Sequence, residues 1–292
     1  MSITEKIQAK AKELLDSGTV NYIIGWEKGT FWHQSTPVFV KKAADADKLI
    51  WDEFCINSLS TYLIRLDDEL KVGLFVKGCD SKGIVRLIQD KQLKREQVVL
   101  IGIPCNGMRN AKGAVEKTEP ANLPLEQKCI ECVHPNPVIY DELIGEPVVI
   151  ADKSDRFNDV LELEKLSPNE KYQYWAAQFE KCIRCYACRN TCPACNCKEC
   201  YVDQYRVGWQ NKAVDLAENQ MFHVTRAMHV AGRCVECGEC QRQCPMDIPI
   251  MQMNRKLIME INELFGEYAA GVDLEAKPPL GQFKTDDPEE FM

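Results

Sequence analysis

Long apolar runs are missing from this sequence of 292 residues, and none approaches the roughly 20 apolar residues that a membrane-spanning helix requires. The first residues, Met-Ser-Ile-Thr-Glu-Lys, also lack the basic start and apolar core of a signal peptide. We therefore expect a cytoplasmic protein without direct membrane insertion, which reaches a membrane only through a partner protein.

Histidine is scarce, and acidic residues outnumber basic residues, 44 to 36. The formal net charge is −8 and no basic stretch offsets it, which argues against a nucleic-acid partner. The histidines (His33, His134, His223 and His229) are scattered, and no carboxylate pair is recognisable from spacing, so we predict no catalytic residues. No GxGxxG follows a predicted strand, so a Rossmann-type FAD or NAD site lacks support.

Cysteine, in contrast, is abundant, with 16 residues in the chain. In a cytoplasmic protein such a number points to metal or redox chemistry rather than to disulfides. Half of these cysteines form two copies of the pattern CxxCxxCxxxCP. The first copy contains Cys182, Cys185, Cys188, Cys192 and Pro193, and the second contains Cys234, Cys237, Cys240, Cys244 and Pro245.

This spacing is the signature of a two-cluster bacterial ferredoxin, in which the fourth cysteine of each run binds the cluster built on the other run. We therefore predict two 4Fe-4S clusters and a role in electron transfer. The first cluster would be bound by Cys182, Cys185, Cys188 and Cys244, and the second by Cys234, Cys237, Cys240 and Cys192. The alternative is structural zinc, which needs four ligands around one ion but does not require this pattern, still less twice.

The first half of the sequence alternates between apolar strands and helices. Strands predicted at residues 71–76 and 98–103 are almost continuously apolar, which is typical of a mainly parallel sheet covered on both faces. The other predicted elements are a helix at residues 4–17, a strand at 20–25, an extended segment at 37–40, helices at 52–66 and 82–91, and a closing strand at 147–151.

The second half combines the cysteine motifs with helices predicted at residues 214–231 and 250–265. We therefore predict an α/β domain with a mainly parallel sheet, followed by an α-helical dicluster ferredoxin domain. The predicted boundaries are residues 1–151 for the α/β domain, 152–176 for a linker, 177–266 for the dicluster domain and 267–292 for an extended tail. The tail either frays or becomes ordered against a partner.

Five further cysteines lie in the α/β half, namely Cys55, Cys79, Cys105, Cys129 and Cys132. Cys79 and Cys105 each follow a strand, at the carboxyl edge of a parallel sheet where ligands collect. Together with the CxxC of Cys129 and Cys132, they could hold a third 4Fe-4S cluster. Helix N-termini would also favour thiolates and the anionic cluster. Four ligands are enough, so one cysteine is spare, with Cys55 as the candidate. Inert buried thiols and a zinc site are the alternatives.

The roles of Cys195, Cys197 and Cys200, which directly follow the first motif, stay open. One of them could replace Cys192 as a ligand, or they could bind a further metal together with a partner chain. Arginines also lie among the motifs and would either raise the cluster potentials or be surface charges. They are Arg184, Arg189, Arg233 and Arg242.

Three stretches carry a resemblance to a known family: GCDSKGIV at residues 78–85, GIPC at 102–105 and the CxxC at 129–132. They resemble the β-subunit family of deazaflavin-reducing hydrogenases and formate dehydrogenases. The stretch CIRCYACRNTCPACNCKEC at residues 182–200 is similar to iron–sulfur modules found with these subunits. The resemblance implies a third cluster on Cys105, Cys129 and Cys132, completed by Cys79 or Cys55. It also implies electron transfer between a soluble cofactor and partner subunits.

The sequence departs from this family in its short α/β region, because full-length members carry a larger flavin and deazaflavin domain. Short forms resemble accessory subunits of heterodisulfide-reductase-like and flavin-oxidoreductase complexes of anaerobes. We therefore expect a subunit that relays electrons between a flavoprotein oxidoreductase and a heterodisulfide-reductase-like or hydrogenase partner. The alternative is a flavin-binding subunit that itself reacts with deazaflavin or a nicotinamide cofactor, although the sequence does not favour a bound flavin.

Overall fold

A computed structural model of the chain describes residues 1–114, 119–150, 155–285 and 287. The chain divides into two units, Met1–Lys153 and Ser154–Met292, and each unit has its own cluster of buried apolar residues. Within the described ranges, no helix is both long enough and apolar enough to cross a membrane.

The first unit is built on a sheet of five strands. The strands are β1 (Tyr22–Lys28), β2 (Ser35–Val40), β3 (Val72–Val76), β4 (Val98–Gly102) and β5 (Glu142–Leu143). Their order in the sheet is β2-β1-β3-β4-β5. Only the β1–β2 pair is antiparallel among these, and the pairs β1–β3, β3–β4 and β4–β5 are parallel. The predicted mainly parallel sheet is therefore confirmed.

Helices α1 (Ile3–Asp16), α2 (Gly78–Gln89) and α3 (Gln127–Ile130) accompany this sheet. Every residue of β3 is buried, and both α1 and α2 contact that strand. Helix α2 begins four residues before the predicted helix at 82–91. The reason is Asp80, whose carboxylate accepts the backbone N–H of Lys77 at 3.1 Å and so caps the first turn.

The helix predicted at residues 52–66 was wrong, because the structure has only a short 3-10 turn, Ser60–Leu63, in this range. Asp52 explains the difference: its side chain accepts the backbone N–H of Phe54 at 2.9 Å and the hydroxyl of Ser35 at 2.8 Å. Asn57 also donates to the carbonyl of Ser35 at 3.2 Å. These local bonds compete with the helical backbone pattern.

The closing strand predicted at residues 147–151 is also wrong in its described part, since residues 147–150 form no strand. The fifth strand is the two-residue β5, which ends at Leu143. The side chain of Asn136 hydrogen-bonds to both backbone groups of Val148: it accepts from the N–H and donates to the C=O, each at 2.8 Å. These groups are therefore not paired with a neighbouring strand. Residue 151 lies outside the described residues.

The second unit is helical in its regular secondary structure within the described ranges. Its helices are α4 (Asn158–Glu164), α5 (Pro168–Glu180), α6 (Ala187–Asn190), α7 (Leu216–Val230), α8 (Glu239–Arg242) and α9 (Ile250–Phe265). The helices predicted at 214–231 and 250–265 are confirmed as α7 and α9. Most of the segment predicted as a linker is helical too, because Ser167 and Glu170 form a capping box around Pro168 at the start of α5.

A buried ion pair joins β3 to α2 in the first unit. The Lys77 ammonium lies 2.9 Å from the Asp80 carboxylate, and the two side chains are only 2% and 0% exposed. Asp80 also accepts the backbone N–H of Leu59 at 2.7 Å, while Lys77 lies 3.9 Å from the ring centre of Trp26. Every charged or polar atom of this pair therefore has a partner, which a charge in a water-free interior requires.

We predict that Asp80→Asn lowers the free energy of unfolding of the first unit by about 3–5 kcal/mol, because it leaves a buried ammonium without its counter-ion. The matched control is Asp68→Asn, which removes an equally short pair with Lys94 that is mostly exposed. Its expected effect is much smaller, because water screens an exposed ion pair. Urea unfolding of both variants measures the two losses in free energy of unfolding. Equal losses would contradict the claim that the buried pair of Lys77 and Asp80 stabilises the first unit.

Candidate metal centres

The two cysteine motifs have the same unusual backbone. In the first, Arg184 and Tyr186 have φ angles of 53° and 60°, and in the second, Glu236 and Gly238 have φ angles of 57° and 70°. These residues occupy equivalent positions, directly before and after the middle cysteine of each CxxCxxC. Left-handed backbone is rare for residues other than glycine, so its repetition shows that both loops are held in one defined conformation. Each loop then continues into a short helix, α6 or α8.

The first motif and the end of the second bring together the first thiol set, defined as Cys182, Cys185, Cys188 and Cys244. Burial raises the pKa of Cys182, and the nearby thiols of Cys244 and Cys185 raise it further, while the backbone N–H of Arg184 opposes them. Burial likewise raises the pKa of Cys188 to about 12, with the thiols of Cys182 and Cys244 among its neighbours. The set thus contains the fourth cysteine of the other motif.

The second thiol set is defined as Cys192, Cys234, Cys237 and Cys240. Burial raises the pKa of Cys234 to about 12, and the thiols of Cys192 and Cys240 add to this effect. Burial also raises the pKa of Cys237, for which Cys192 and Cys240 are again neighbours. In each set the fourth cysteine of one motif is thus a neighbour of cysteines of the other motif, as crossed ligation requires. The assignment of these cysteines as cluster ligands stays a prediction.

The surroundings of both sets fit an anionic iron–sulfur cluster. Backbone N–H groups point at the sulfurs: Arg184 N lies 3.4 Å from Cys182 Sγ, and the N–H of Glu236 bonds to Cys234. Such bonds stabilise negative charge on sulfur. Three buried nitrogens near these sets, His223 Nε2, Arg226 Nε and Arg184 Nε, have no hydrogen-bond partner among the described residues, so they are available to a further group.

In the part of the chain that the structure describes, no group of three or more His, Cys, Asp or Glu side chains is arranged to hold a metal ion. That finding bears on sites for a single ion, such as zinc. The four ligands of a cubane each bind a different iron atom and do not converge on one point.

Helix α7 presents a buried polar stripe to the cysteine loops, consisting of Asn219, His223 and Arg226. Asn219 donates to the carbonyl of Cys182 at 3.0 Å, and Arg226 donates to the carbonyl of Cys188 at 3.0 Å. His223 stacks on Phe179 with ring centres 4.7 Å apart. Burial, with the charges of Arg226 and Arg184, lowers the pKa of His223 to about 3, so this ring is neutral.

The sequence pattern indicated no role for His223 or Arg226. The polar residues Asn219, His223 and Arg226 recur every three or four positions, which places them on one face of the helix. This spacing becomes informative only when the structure shows that this face of α7 is buried.

The arginines that the sequence placed among the ligands have different environments. Arg184 is buried and donates to the carbonyls of Glu218 at 2.8 Å and Asn211 at 3.2 Å, so it is not a surface charge. Two others are paired with carboxylates: Arg189 with Asp203 at 2.8 Å, and Arg242 with Glu239 at 2.7 Å. Arg233 donates to the carbonyl of His229 at 3.1 Å.

In the first unit, the predicted third site is built where α2 and β4 meet the segment after α3. Cys105 N donates to the carbonyl of Pro135 at 3.0 Å, and Val138 N donates to the hydroxyl of Ser81 at 2.9 Å. A Cβ at Gly78 would lie 1.9 Å from the carbonyl oxygen of His134, so only glycine permits this approach. These contacts fix the backbone on either side of the cysteines.

The third thiol set is defined as Cys79, Cys105, Cys129 and Cys132. Burial raises the pKa of Cys105 to about 11, and the thiols of Cys129 and Cys132 are among its neighbours. Burial also raises the pKa of Cys79, for which Cys105 is a neighbour. Cys79 lies in the first turn of α2, where the helix dipole favours negative charge.

Lysines lie near this third thiol set, together with the Asp80 carboxylate, which adds to the effect of burial in raising the pKa of Cys79. Lys77 opposes the effect of burial at Cys105, and Lys82 and Lys128 do so at Cys132. Lys77 and Lys82 are almost completely buried. Backbone N–H groups also reach the sulfurs, since Met108 N lies 3.3 Å from Cys129 Sγ and Gly107 N lies 3.4 Å from Cys105 Sγ. The site therefore fits an anionic cluster by the same criteria as the first two.

Cys55 has a different environment from the other cysteines of the first unit. It is fully buried, and its Sγ lies 3.4 Å from both the backbone nitrogen and a carboxylate oxygen of Asp52. Burial raises its pKa, and the Asp52 carboxylate raises it further. These contacts with Asp52, rather than with other thiols, favour Cys55 as the spare cysteine.

The three cysteines after the first motif, Cys195, Cys197 and Cys200, have different environments. Cys195 lies against Cys192, and their side-chain hydrogen bond lowers the pKa of Cys192 and raises that of Cys195. Cys200 bonds to Arg189, and Cys197 is exposed. Whether Cys195 can take the place of Cys192 as a ligand stays open.

Comparison with known proteins agrees with this geometry. Residues 178–248 match the family model of the 4Fe-4S dicluster domain. The chain is 32% identical to the β subunit of the F420-dependent formate dehydrogenase of Methanocaldococcus jannaschii, over 94% of this chain and 93% of the relative. It is 26% identical to the β subunit of F420-dependent formate dehydrogenase 1 of Methanococcus maripaludis, over 94% of this chain and 92% of that relative.

We predict that Cys79→Ser removes one cluster, lowering the iron content from about twelve to about eight atoms per chain, because a cubane needs four thiolates. Cys55→Ser is the matched control in the same unit and should keep the full content. Iron and acid-labile sulfide analysis of anaerobically purified variants measures both. The opposite outcome, with iron lost from Cys55→Ser and retained in Cys79→Ser, would exchange the two roles.

Proposed function

Because this chain belongs to the family of β subunits of F420-dependent formate dehydrogenases, we propose that it is an electron-transfer subunit with three 4Fe-4S clusters. It would relay electrons between a flavin-containing oxidoreductase partner and a reductase or hydrogenase partner. When bound, such clusters accept and donate single electrons. The protein contributes the cysteine ligands, the backbone N–H groups and the buried cations that hold the charge.

The observation that carries this proposal is the adjacency of the first two thiol sets. Cys188 of the first set has Cys240 of the second among its close electrostatic neighbours. The helices α6 and α8, each of which follows one motif, also contact each other. Two clusters bound at these sets would therefore be near neighbours, which is what electron transfer from one to the other requires.

The second candidate is a flavin-binding subunit that itself exchanges electrons with deazaflavin or a nicotinamide cofactor. The relatives' names favour it, because both enzymes are described as F420-dependent. Two observations favour the relay instead. The sequence has no GxGxxG after a strand, and its alignment with the first relative runs over 357 positions, more than the 292 residues of this chain. That relative therefore contains inserted segments that this chain lacks.

The test is cofactor analysis of the anaerobically purified full chain, followed by mixing with reduced F420. The relay proposal predicts about twelve irons and as many acid-labile sulfides per chain. It also predicts no stoichiometric flavin and no bleaching of the cluster absorbance by reduced F420 in the absence of a partner. One flavin per chain with rapid bleaching would support the second candidate. Zinc without sulfide would contradict both.

A further inference from the structure

Arg226 is a buried cation in the middle of the dicluster unit. It lies on the buried face of α7, is 3% exposed, and donates through Nη2 to the carbonyl oxygen of Cys188 at 3.0 Å. Burial raises the pKa of Cys240, and the charge of Arg226 opposes this effect. One guanidinium group thus contacts a loop of the first thiol set and lies near a ligand position of the second.

The charged neighbours of Arg226 distinguish it from the other arginines near the motifs. Arg189 and Arg242 are each paired with a carboxylate, so their charges are largely neutralised. The groups that bear most strongly on the charge of Arg226, after burial, are the thiols of Cys192, Cys240, Cys195 and Cys188. Its Nε atom has no hydrogen-bond partner in the described residues, which leaves one donor available.

We propose that Arg226 raises the reduction potentials of both clusters in the dicluster unit, acting as the shared counter-charge between them. This inference rests on the proposed function, since it requires that the two thiol sets hold clusters. Reduction adds one negative charge to a cluster, and a fixed cation nearby stabilises the reduced form. The interaction is strong here because the group is removed from water, where charges would be screened.

The two clusters should not respond equally to the loss of this charge. Among the thiols that act on the charge of Arg226, Cys192 and Cys240 of the second thiol set have larger effects than Cys188 of the first. Arg226 contacts the first thiol set through the backbone carbonyl of Cys188. The larger shift is therefore expected for the cluster bound by Cys192, Cys234, Cys237 and Cys240.

The experiment is an EPR-monitored redox titration of the anaerobically purified full chain and of Arg226→Gln, Arg226→Lys and Arg189→Gln. In Arg226→Gln, the ratio of oxidised to reduced cluster at a given potential should rise at least tenfold for the second set, about 59 mV for a one-electron couple. The first set should shift in the same direction by less. Arg226→Lys keeps the charge and should retain most of the wild-type potential, and Arg189→Gln should leave both couples unchanged.

The possible outcomes separate this inference from the proposed function. A wild-type protein without two titrating couples would refute the proposed function. Two couples that are present and do not move in Arg226→Gln, or that move as far in Arg226→Lys, would overturn the role of Arg226 alone. Arg226→Met is the second neutral variant, because an apolar side chain leaves no buried amide unpaired. Loss of iron from both neutral variants would also overturn the proposal, in favour of a purely structural role.

Discussion

The concentration of sulfur ligands in a small, water-poor volume is the constraint on which this structure depends. Thiols that give up their protons and bind a cluster bring negative charge into the interior, and isolated buried charge is strongly unfavourable. Both units meet this constraint with buried cations and with N–H groups directed at sulfur. In the second unit the buried cations are Arg226 and Arg184, and in the first unit the lysines near the third thiol set have this role. The buried pair of Lys77 with Asp80 shows that one of these lysines is itself held in place.

The helices and strands mainly position the loops that carry the cysteine sulfurs. In the first unit, β3 and β4 are parallel and end at the same edge, so the residues that follow them are brought together. Gly78 allows the segment after Cys132 to approach the start of α2. In the second unit, α7 lies against the cysteine loops and fixes their carbonyl groups through Asn219 and Arg226. Each site thus depends on contacts between segments far apart in the sequence.

The cysteine spacing in the sequence was enough to predict part of the fold and of the candidate sites. It predicted the dicluster domain, because the chemistry of a cubane dictates ligand spacing directly, while the helices α7 and α9 were predicted from their end signals. It could not identify Arg226, since a single arginine in a helix is usually exposed and only the packing of α7 reveals its burial. The choice between Cys55 and Cys79 required knowing that α2 begins at Gly78. The helix predicted at 52–66 failed because Asp52 bonds to nearby backbone and side chains, a local competition that apolar spacing does not register.

The crossed arrangement of ligands is the central claim, and four single variants test it most directly. EPR spectra of the reduced, anaerobically purified Cys185→Ser, Cys244→Ser, Cys237→Ser and Cys192→Ser proteins would show which cluster each change perturbs. If ligation is crossed, Cys185→Ser and Cys244→Ser alter the same signal, and Cys237→Ser and Cys192→Ser alter the other. If Cys244→Ser instead altered the signal that Cys237→Ser alters, each cluster would be bound by a single motif, and this account of the dicluster unit would be contradicted.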